Sequence, residues 1–578
     1  MSSYSDEFPT LTIYHEQIEH QIVELYLNLC RKNDHKCIRT ISNKLDALLS
    51  FFKTSQNSDH DNKPYISLLY KMIAQTRDIS YGKGEKDLTY MLICVWYKHF
   101  PISAIFALRT LVDNMENINL HSPYGSWCDI KYFCRYVKLH SMLDPTQNEQ
   151  LIDSALGILN NQINKDRINW NKTLCEYFEE VVNNPSTLSK RPIGRDHMSF
   201  ASKWSPRENS SFGWLYERMV IQWTQMFTPA LLNVSKDKRK YTINKCKKNY
   251  RRMTSSLNKE LDTVQIKQCN NKWNDVNPES VSIGTIIKQK NAFVKSHNDD
   301  RNACKTHFFE YYDELKEFGE HEHHNTKTLL PVSKIVSCVM TLLQMKELHN
   351  ADMTYINKQL AWYNHIWNKN IKHKNGFDSS IPIIDISWDI DNDSRNSAIG
   401  LGVLIAQRSD LHRFIIYENT AYWIVIDKDD SFCDILQKVH DHSKHPTNSN
   451  IDNAFSMLLE AFNHTISHND TIQHQDARSN ITFFIFNGGK HVNIILKRLF
   501  SSSFFVFWNI QRNNFLKIKH TDFSPNNFYL CGDSISNIDD IAQFGISYLR
   551  NTTLYKFISN ILSLPRYSVM DKYLKDGL

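Results

Sequence analysis

The sequence predicts two architectures in tandem: an α-helical repeat region over residues 1–375 and a doubly wound α/β domain over residues 376–578. Three observations lead there. Apolar residues recur at spacings of three and four from about residue 11 to about residue 372, the period of a helix with one buried face. From Ile381 onward short apolar runs alternate with helical segments, the pattern of a mostly parallel sheet with crossover helices. A chain of 578 residues also exceeds what one hydrophobic core organises, so two or more domains are expected.

In the first region, Ile18, Ile22, Leu25, Tyr26 and Leu29 share one helical face, as do Leu88, Met91, Leu92, Val95 and Trp96. Asp144-Pro145 and Asn183-Asn184-Pro185 break the pattern, since proline and asparagine favour turns. Helices with short connections suggest stacked pairs, as in HEAT-like solenoids. The linker is placed near Lys372–Ser380, around Gly376. Beyond it Ile381–Ile384 reads as a buried strand. Ala398–Gln407 reads as a helix whose small residues allow close approach to a sheet. Arg413–Tyr417 and Tyr422–Ile426 read as paired strands, and Ile451–Phe462 as a helix. Ile481–Phe486 and Phe504–Trp508 read as buried strands, and Ile538–Leu549 as a helix.

The bulk numbers exclude little. A formal charge of +6 on this length decides nothing by itself, so local distribution must. The 12 cysteines are scattered without a CxxC pair, and the N-terminus is polar. Reduced thiols in a cytoplasmic setting are the expectation. No apolar run reaches the roughly 18 residues that span a bilayer, so no membrane partner is expected.

Three blocks of the helical region carry a family resemblance. They are Arg77-Asp78-Ile79-Ser80-Tyr81-Gly82-Lys83-Gly84-Glu85-Lys86-Asp87-Leu88, then Tyr124-Gly125-Ser126-Trp127-Cys128-Asp129, then Lys203-Trp204-Ser205-Pro206-Arg207-Glu208 with Phe212-Gly213-Trp214. In order and spacing they resemble the DUF2828 family, which is similar to the TROVE-plus-von Willebrand A architecture of the Ro autoantigen. The resemblance implies a TROVE-like solenoid, a ring or horseshoe of helical repeats, followed by an α/β domain. It also implies binding of structured or non-coding RNA by a basic surface. Read by its own residues, the first block has two uses. Gly82 and Gly84 permit a tight turn before a Glu85–Tyr97 helix, which makes it a repeat-joining turn. Alternatively Arg77, Lys83 and backbone amides contact phosphate. It is not a Walker loop, because GxxxxGK[ST] is absent.

The densest charge comprises Lys236, Lys238, Arg239, Lys240, Lys245, Lys247, Lys248, Arg251 and Arg252, with Asp237 as the one acid and Tyr241 and Tyr250 interspersed. Clustered cations neutralise phosphates and release counterions, and exposed aromatics stack on bases. The same run also suits a solvated helix face. Lysines over 259–272 and 288–295 extend it, and Trp273 reads as core.

The apolar run at Ile381 ends in Asp385-Ile386-Ser387-Trp388-Asp389. At a strand's carboxyl end in an open α/β sheet, Asp385 and Ser387 point the same way and offer oxygen to a hard cation. The motif resembles the start of a von Willebrand factor A domain, whose metal site opens with Asp-x-Ser-x-Ser. Asp389 departs from it. That resemblance places Asn450 where a threonine and Asn487 where an aspartate are expected. Mg²⁺ or Mn²⁺ at Asp385, Ser387 and Asp389 is one expectation; a degenerate site that keeps only the fold is the other. Glu320-His321-Glu322-His323-His324 lacks HExxH spacing and reads as a loop. Cys304 and His307 lack a second ligand pair, no GxSxG occurs, and Asp539-Asp540 reads as a polar helix start.

The expected function is a non-enzymatic RNA-binding or ribonucleoprotein scaffold, with a possible protein partner on the C-terminal domain. The alternative is a protein-interaction or virion structural component without RNA activity, in the host cytoplasm or the virion if the source is viral.

Overall fold

The computed structural model describes residues 7–30, 34–54, 62–113, 122–233, 235–295, 298–317, 331–348, 352–370, 376–387, 389–443, 447–466, 481–487, 503–511 and 526–574. The chain forms two compact units that cut across a division at residue 375. The first comprises residues 1–44, 61–88 and 309–568, and the second residues 45–60, 89–308 and 569–578.

The first unit holds a six-stranded sheet: β1 (Ser380–Asp385), β2 (Arg413–Tyr417), β3 (Ala421–Val425), β4 (Thr482–Asn487), β5 (Phe504–Asn509) and β6 (Asn527–Cys531). The order is β3-β2-β1-β4-β5-β6. Every pairing is parallel except that of β2 with β3. The expected strands are present with small shifts at their ends, and the expected Ala398–Gln407 helix begins earlier, at Asn392. β6 and the Phe432–His442 and Leu554–Leu562 helices are additions, and the expected 538–549 helix is two helices broken at Gly545. Gly545 has φ +83°, a conformation that glycine adopts without steric cost.

Side chains alternate across the sheet, and both faces are covered. Ile381, Ile383, Phe483 and Ile485 pack with Phe455 and Leu458 of the Ile451–Ile466 helix. The opposite face, through Pro382 and Ile384, meets Gly402 of the Asn392–Arg408 helix. A methyl at Gly402 would overlap Ile384, and one at Gly400 would overlap Val332 of the Val332–Lys346 helix. The small residues thus let one helix lie tightly between sheet and second helix, as the composition of that segment suggests. The Ser431 hydroxyl accepts from the Asp434 amide, and the Asp434 carboxylate accepts from the Ser431 amide, a capping box that starts the additional helix.

The Gly-rich block belongs to this unit and is a buried clamp. Asp78 is fully buried and accepts from Arg566 Nη2 at 2.9 Å, from the Tyr567 hydroxyl at 3.3 Å and from the Ser80 amide at 3.0 Å. The Gly82 carbonyl accepts from the Ser534 hydroxyl at 2.7 Å and the Ser536 hydroxyl at 3.1 Å. A Cβ at Gly82 would overlap the Gln75 carbonyl, so the turn closes only around glycine.

The second unit is helical throughout its described residues, with no strand among them. Its longest helix, Pro145–Asn183, has 39 residues, with the Asp144 side chain accepting from the Gln147 amide. That proline-and-cap pair makes the predicted break a helix start. The Cys128–His140, Gly213–Phe227 and Lys236–Glu260 helices also belong to this unit.

Candidate functional site

The Lys236–Glu260 helix sorts its residues by face. Cys246, Tyr250, Thr254, Leu257 and Leu261 are buried, one stripe at helical spacing. Tyr250 donates its hydroxyl to Asn160 Oδ1 at 3.1 Å and packs edge-on to Trp223. It is a core residue and no stacking platform. The Tyr216 hydroxyl donates to the Lys247 carbonyl at 2.9 Å and ties the helix down. On the opposite face Tyr241, Lys245, Lys248, Arg252 and Lys259 are exposed, Tyr241 at 75%. Their spacing of four, three, four and seven puts them on one ridge about 27 Å long at about 1.5 Å per residue.

The remaining predicted cations fall into three groups. Lys238, Arg239 and Lys240 are exposed in the first turns. Lys247 is paired with Glu217 at 2.7 Å and lies 3.9 Å from Glu208, and Arg251 is paired with Glu208 at 3.2 Å. These two brace the helix's flank and are partly neutralised. The side chain of Lys236 lies outside the described residues.

Arg77 and Lys83 are not at this surface. Arg77 is 2% exposed and turned to the Gly84 carbonyl. Lys83 donates to the Tyr26 carbonyl at 2.6 Å, and its ammonium lies 3.7 Å from the Tyr26 ring centre. Burial pulls the Lys83 pKa down to about 8. Their charge density suggests phosphate contact, but Arg77 is buried and the half-buried Lys83 is turned to Tyr26, and the block acts as a turn.

A second set of cations, which the sequence does not reveal as a group, lies in the same unit as the basic helix. Lys131 Nζ is 4.6 Å from the Trp204 ring centre, 5.2 Å from Phe212 and 5.5 Å from Tyr132. Lys203 Nζ is 5.8 Å from Trp204 and 5.6 Å from Phe200. Burial holds both lysines below the ordinary range, and the Arg207 charge acts in the same direction on Lys131. Lys203, Trp204 and Arg207 are visible as a motif. The helical residue Lys131 carries no signal, because only folding brings it over Trp204.

In the first unit, Asp385 and Ser387 lie at the carboxyl end of β1, between β2 and β4, where the strand order reverses and ligands collect in open α/β sheets. Asp385 is buried. Its Oδ1 accepts from the Ser387 amide at 3.0 Å and its Oδ2 from the Ser449 hydroxyl at 2.7 Å. Ser449 therefore stands against the carboxylate, while Asn450 accepts from the Asp452 amide at 3.1 Å and begins the next helix. Tyr417 is buried there too, its phenol held well above the ordinary range by burial and by the Asp385 charge. Arg395 is lowered by its own burial and held up by Asp385, Asp391 and Glu418. Asp389 is exposed, and the Asn487 side chain lies outside the described residues.

The Ser387 hydroxyl is buried without a hydrogen-bond partner, which would suit a cation. Each Asp385 oxygen accepts one hydrogen bond, and the Arg395 charge lies in the field of Asp385, Asp391 and Glu418. Among the described residues no group of three or more His, Cys, Asp or Glu is placed to hold a metal. Glu320–His324 lies outside the described residues. Cys304 is buried in the core, its thiol pushed up to about 11 by burial.

Among the described residues no helix is long and apolar enough to cross a membrane. No family model matches the chain. It is similar to an uncharacterized protein of Acanthamoeba polyphaga mimivirus, 21% identical over 375 residues, 64% of this chain and 55% of that protein. The chain thus matches about half the length of that viral relative.

Proposed function

We propose that this chain is a non-enzymatic RNA-binding protein that serves as a ribonucleoprotein scaffold. The observation that carries the reading is the outward ridge of Lys245, Lys248, Arg252 and Lys259 with exposed Tyr241. Cations held in line along a rigid helix neutralise successive phosphates at little entropic cost. Structured or non-coding RNA is the substrate class. The finer architecture in this reading is a TROVE-like stack of helices with a von Willebrand A-like domain that engages a protein partner. The antiparallel edge strand and the Asp385–Ser387 motif at the carboxyl end of β1 support it. The location is cytoplasmic, in the host cytoplasm or the virion, a reading to which the mimivirus likeness lends support.

Filter binding of the full chain to RNA across a salt series tests this. Affinity that falls steeply with salt and exceeds that of an acidic control protein is expected. Affinity equal to the control at low salt would end the proposal. A protein-interaction or virion structural role without RNA is the second reading, favoured by the modest net charge of +6 and by Asn450 turning to the Asp452 amide instead of to Asp385. RNA that co-purifies after controlled nuclease treatment argues for the first role, and its absence for the second.

A further inference from the structure

Among the described residues the cations around Trp204 form no ion pair with an acid. Glu208, next in sequence to Arg207, is turned instead to Lys247 and Arg251. Among the described residues Lys131, Lys203 and Arg207 have no ion-pair partner. The Lys131 and Lys203 ammonium groups both lie near the Trp204 ring, and the Arg207 charge bears on Lys131, which makes a half-buried positive pocket of side chains. Burial of both lysines, and the Arg207 charge on Lys131, disfavour their charged forms, a cost that a bound anion would relieve. The pocket is also bordered by aromatic surface: Phe200 is 42% exposed and Tyr132 37% exposed. Tyr132 is fixed edge-on against Phe212 at 5.4 Å. A flat, open ring beside clustered cations is the arrangement that takes a base and its phosphate together.

We infer that Lys131, Lys203 and Arg207, with Phe200 and Tyr132, form a subsite for an unpaired nucleotide of single-stranded RNA. The cations hold the phosphate, and the exposed rings take the base. This rests on the RNA-binding reading and deepens it: the Lys236–Glu260 ridge tracks the backbone of any strand, while the Trp204 pocket selects strands whose bases are free. A base inside a duplex is already stacked on both sides and offers no face to Phe200.

The test uses the full chain and four probes at one salt concentration. They are a 12-nucleotide oligouridylate, an abasic strand with the same number of phosphates, a 12-base-pair blunt RNA duplex, and an acidic peptide of equal charge. Wild type is expected to bind oligouridylate about tenfold tighter than the abasic strand. Phe200→Ala should remove most of that preference. Lys131→Gln with Lys203→Gln should weaken the oligouridylate about tenfold and the duplex less than about twofold. Lys245→Gln with Lys248→Gln and Arg252→Gln should weaken both RNAs alike. If the double lysine variant unfolds by circular dichroism, Phe200→Ala, at an exposed ring, decides alone. Equal binding of oligouridylate and abasic strand by wild type would overturn the subsite and leave the RNA-binding reading standing. So would equal loss for single strand and duplex in the double variant. Preference for the acidic peptide over every RNA, or no RNA binding at all, would overturn both.

Discussion

Lys83 and Lys248 carry the same ammonium group and sit in opposite surroundings. Lys83 lies against the Tyr26 ring and carbonyl, its charge so costly that the pKa falls to about 8. Lys248 stands exposed on a helix whose other face is core. The Gly-rich block and the basic helix both look like phosphate contacts in the sequence because both concentrate cations. The difference is what closes over them. In the first unit Ser534, Ser536, Arg566 and Tyr567 come from far along the chain to cover the block. In the second unit the ridge residues have no such cover. Cation density therefore leaves charge available to a polyanion only where the opposite face of the same element is the one that packs.

The contrast can be broken from either side. The largest effect is expected from Asp78→Ala, which strips Arg566 of its buried partner. A loss of about 3–5 kcal/mol is expected from urea unfolding, with RNA affinity of the folded fraction unchanged. A change in affinity without a change in stability would mean that the Gly-rich block contacts ligand after all. Next comes Lys245→Glu with Lys248→Glu and Arg252→Glu. Filter binding should show RNA affinity down by about a hundredfold and a shallower salt dependence. Unfolding should shift by less than about 0.5 kcal/mol.

A smaller, pH-dependent effect should come from Asp540. The sequence suggests a polar helix start there, yet Asp540 is buried in the Ile535–Phe544 helix, and burial followed by the neighbouring Asp539 charge raises its pKa to about 8. Folding therefore favours the protonated form. Its contribution is full below about pH 4, the value for an unfolded aspartate, and is lost as pH rises through about 8. Asp540→Asn should match wild type near pH 4 and gain stability progressively up to about pH 8, as thermal unfolding at several pH values would show. A gain independent of pH would count against burial as the cause.

Lys247→Gln and Arg251→Gln sharpen the comparison within the helix. Their acids Glu217 and Glu208 partly neutralise them. RNA affinity should fall less than about threefold, and stability by less than about 1 kcal/mol for such exposed pairs. The least change is expected from Mg²⁺. Calorimetry on the full chain should give no binding heat at millimolar metal, since each Asp385 oxygen already accepts a hydrogen bond and Asn450 is turned to the Asp452 amide. Heat abolished by Asp385→Ala would instead establish a working site.

Much of this is legible in the chain. Ile381–Ile384 and Phe504–Trp508 read as strands because a buried parallel strand is apolar on both faces. β6 escapes because Asn527 and Tyr529 are only half-buried and break the run. The Phe432–His442 helix does carry a signal in Ser431 and Asp434, but a capping pair three residues apart is short beside the strands around it. Asn450 stands in for Ser449 in the sequence because adjacent polar residues in a loop cannot be told apart without knowing which one turns toward Asp385.

Local pattern by itself determined the helical and α/β segments, the turn at Gly82 and the concentration of cations on one helix. These depend on neighbours within a few positions, where periodicity and backbone sterics act. Which cations meet water was decided only by the tertiary structure, as was the meeting of Lys131 with Trp204 and of Ser449 with Asp385. Burial and charge pairing depend on distance in space, and residues far apart along the chain set those distances.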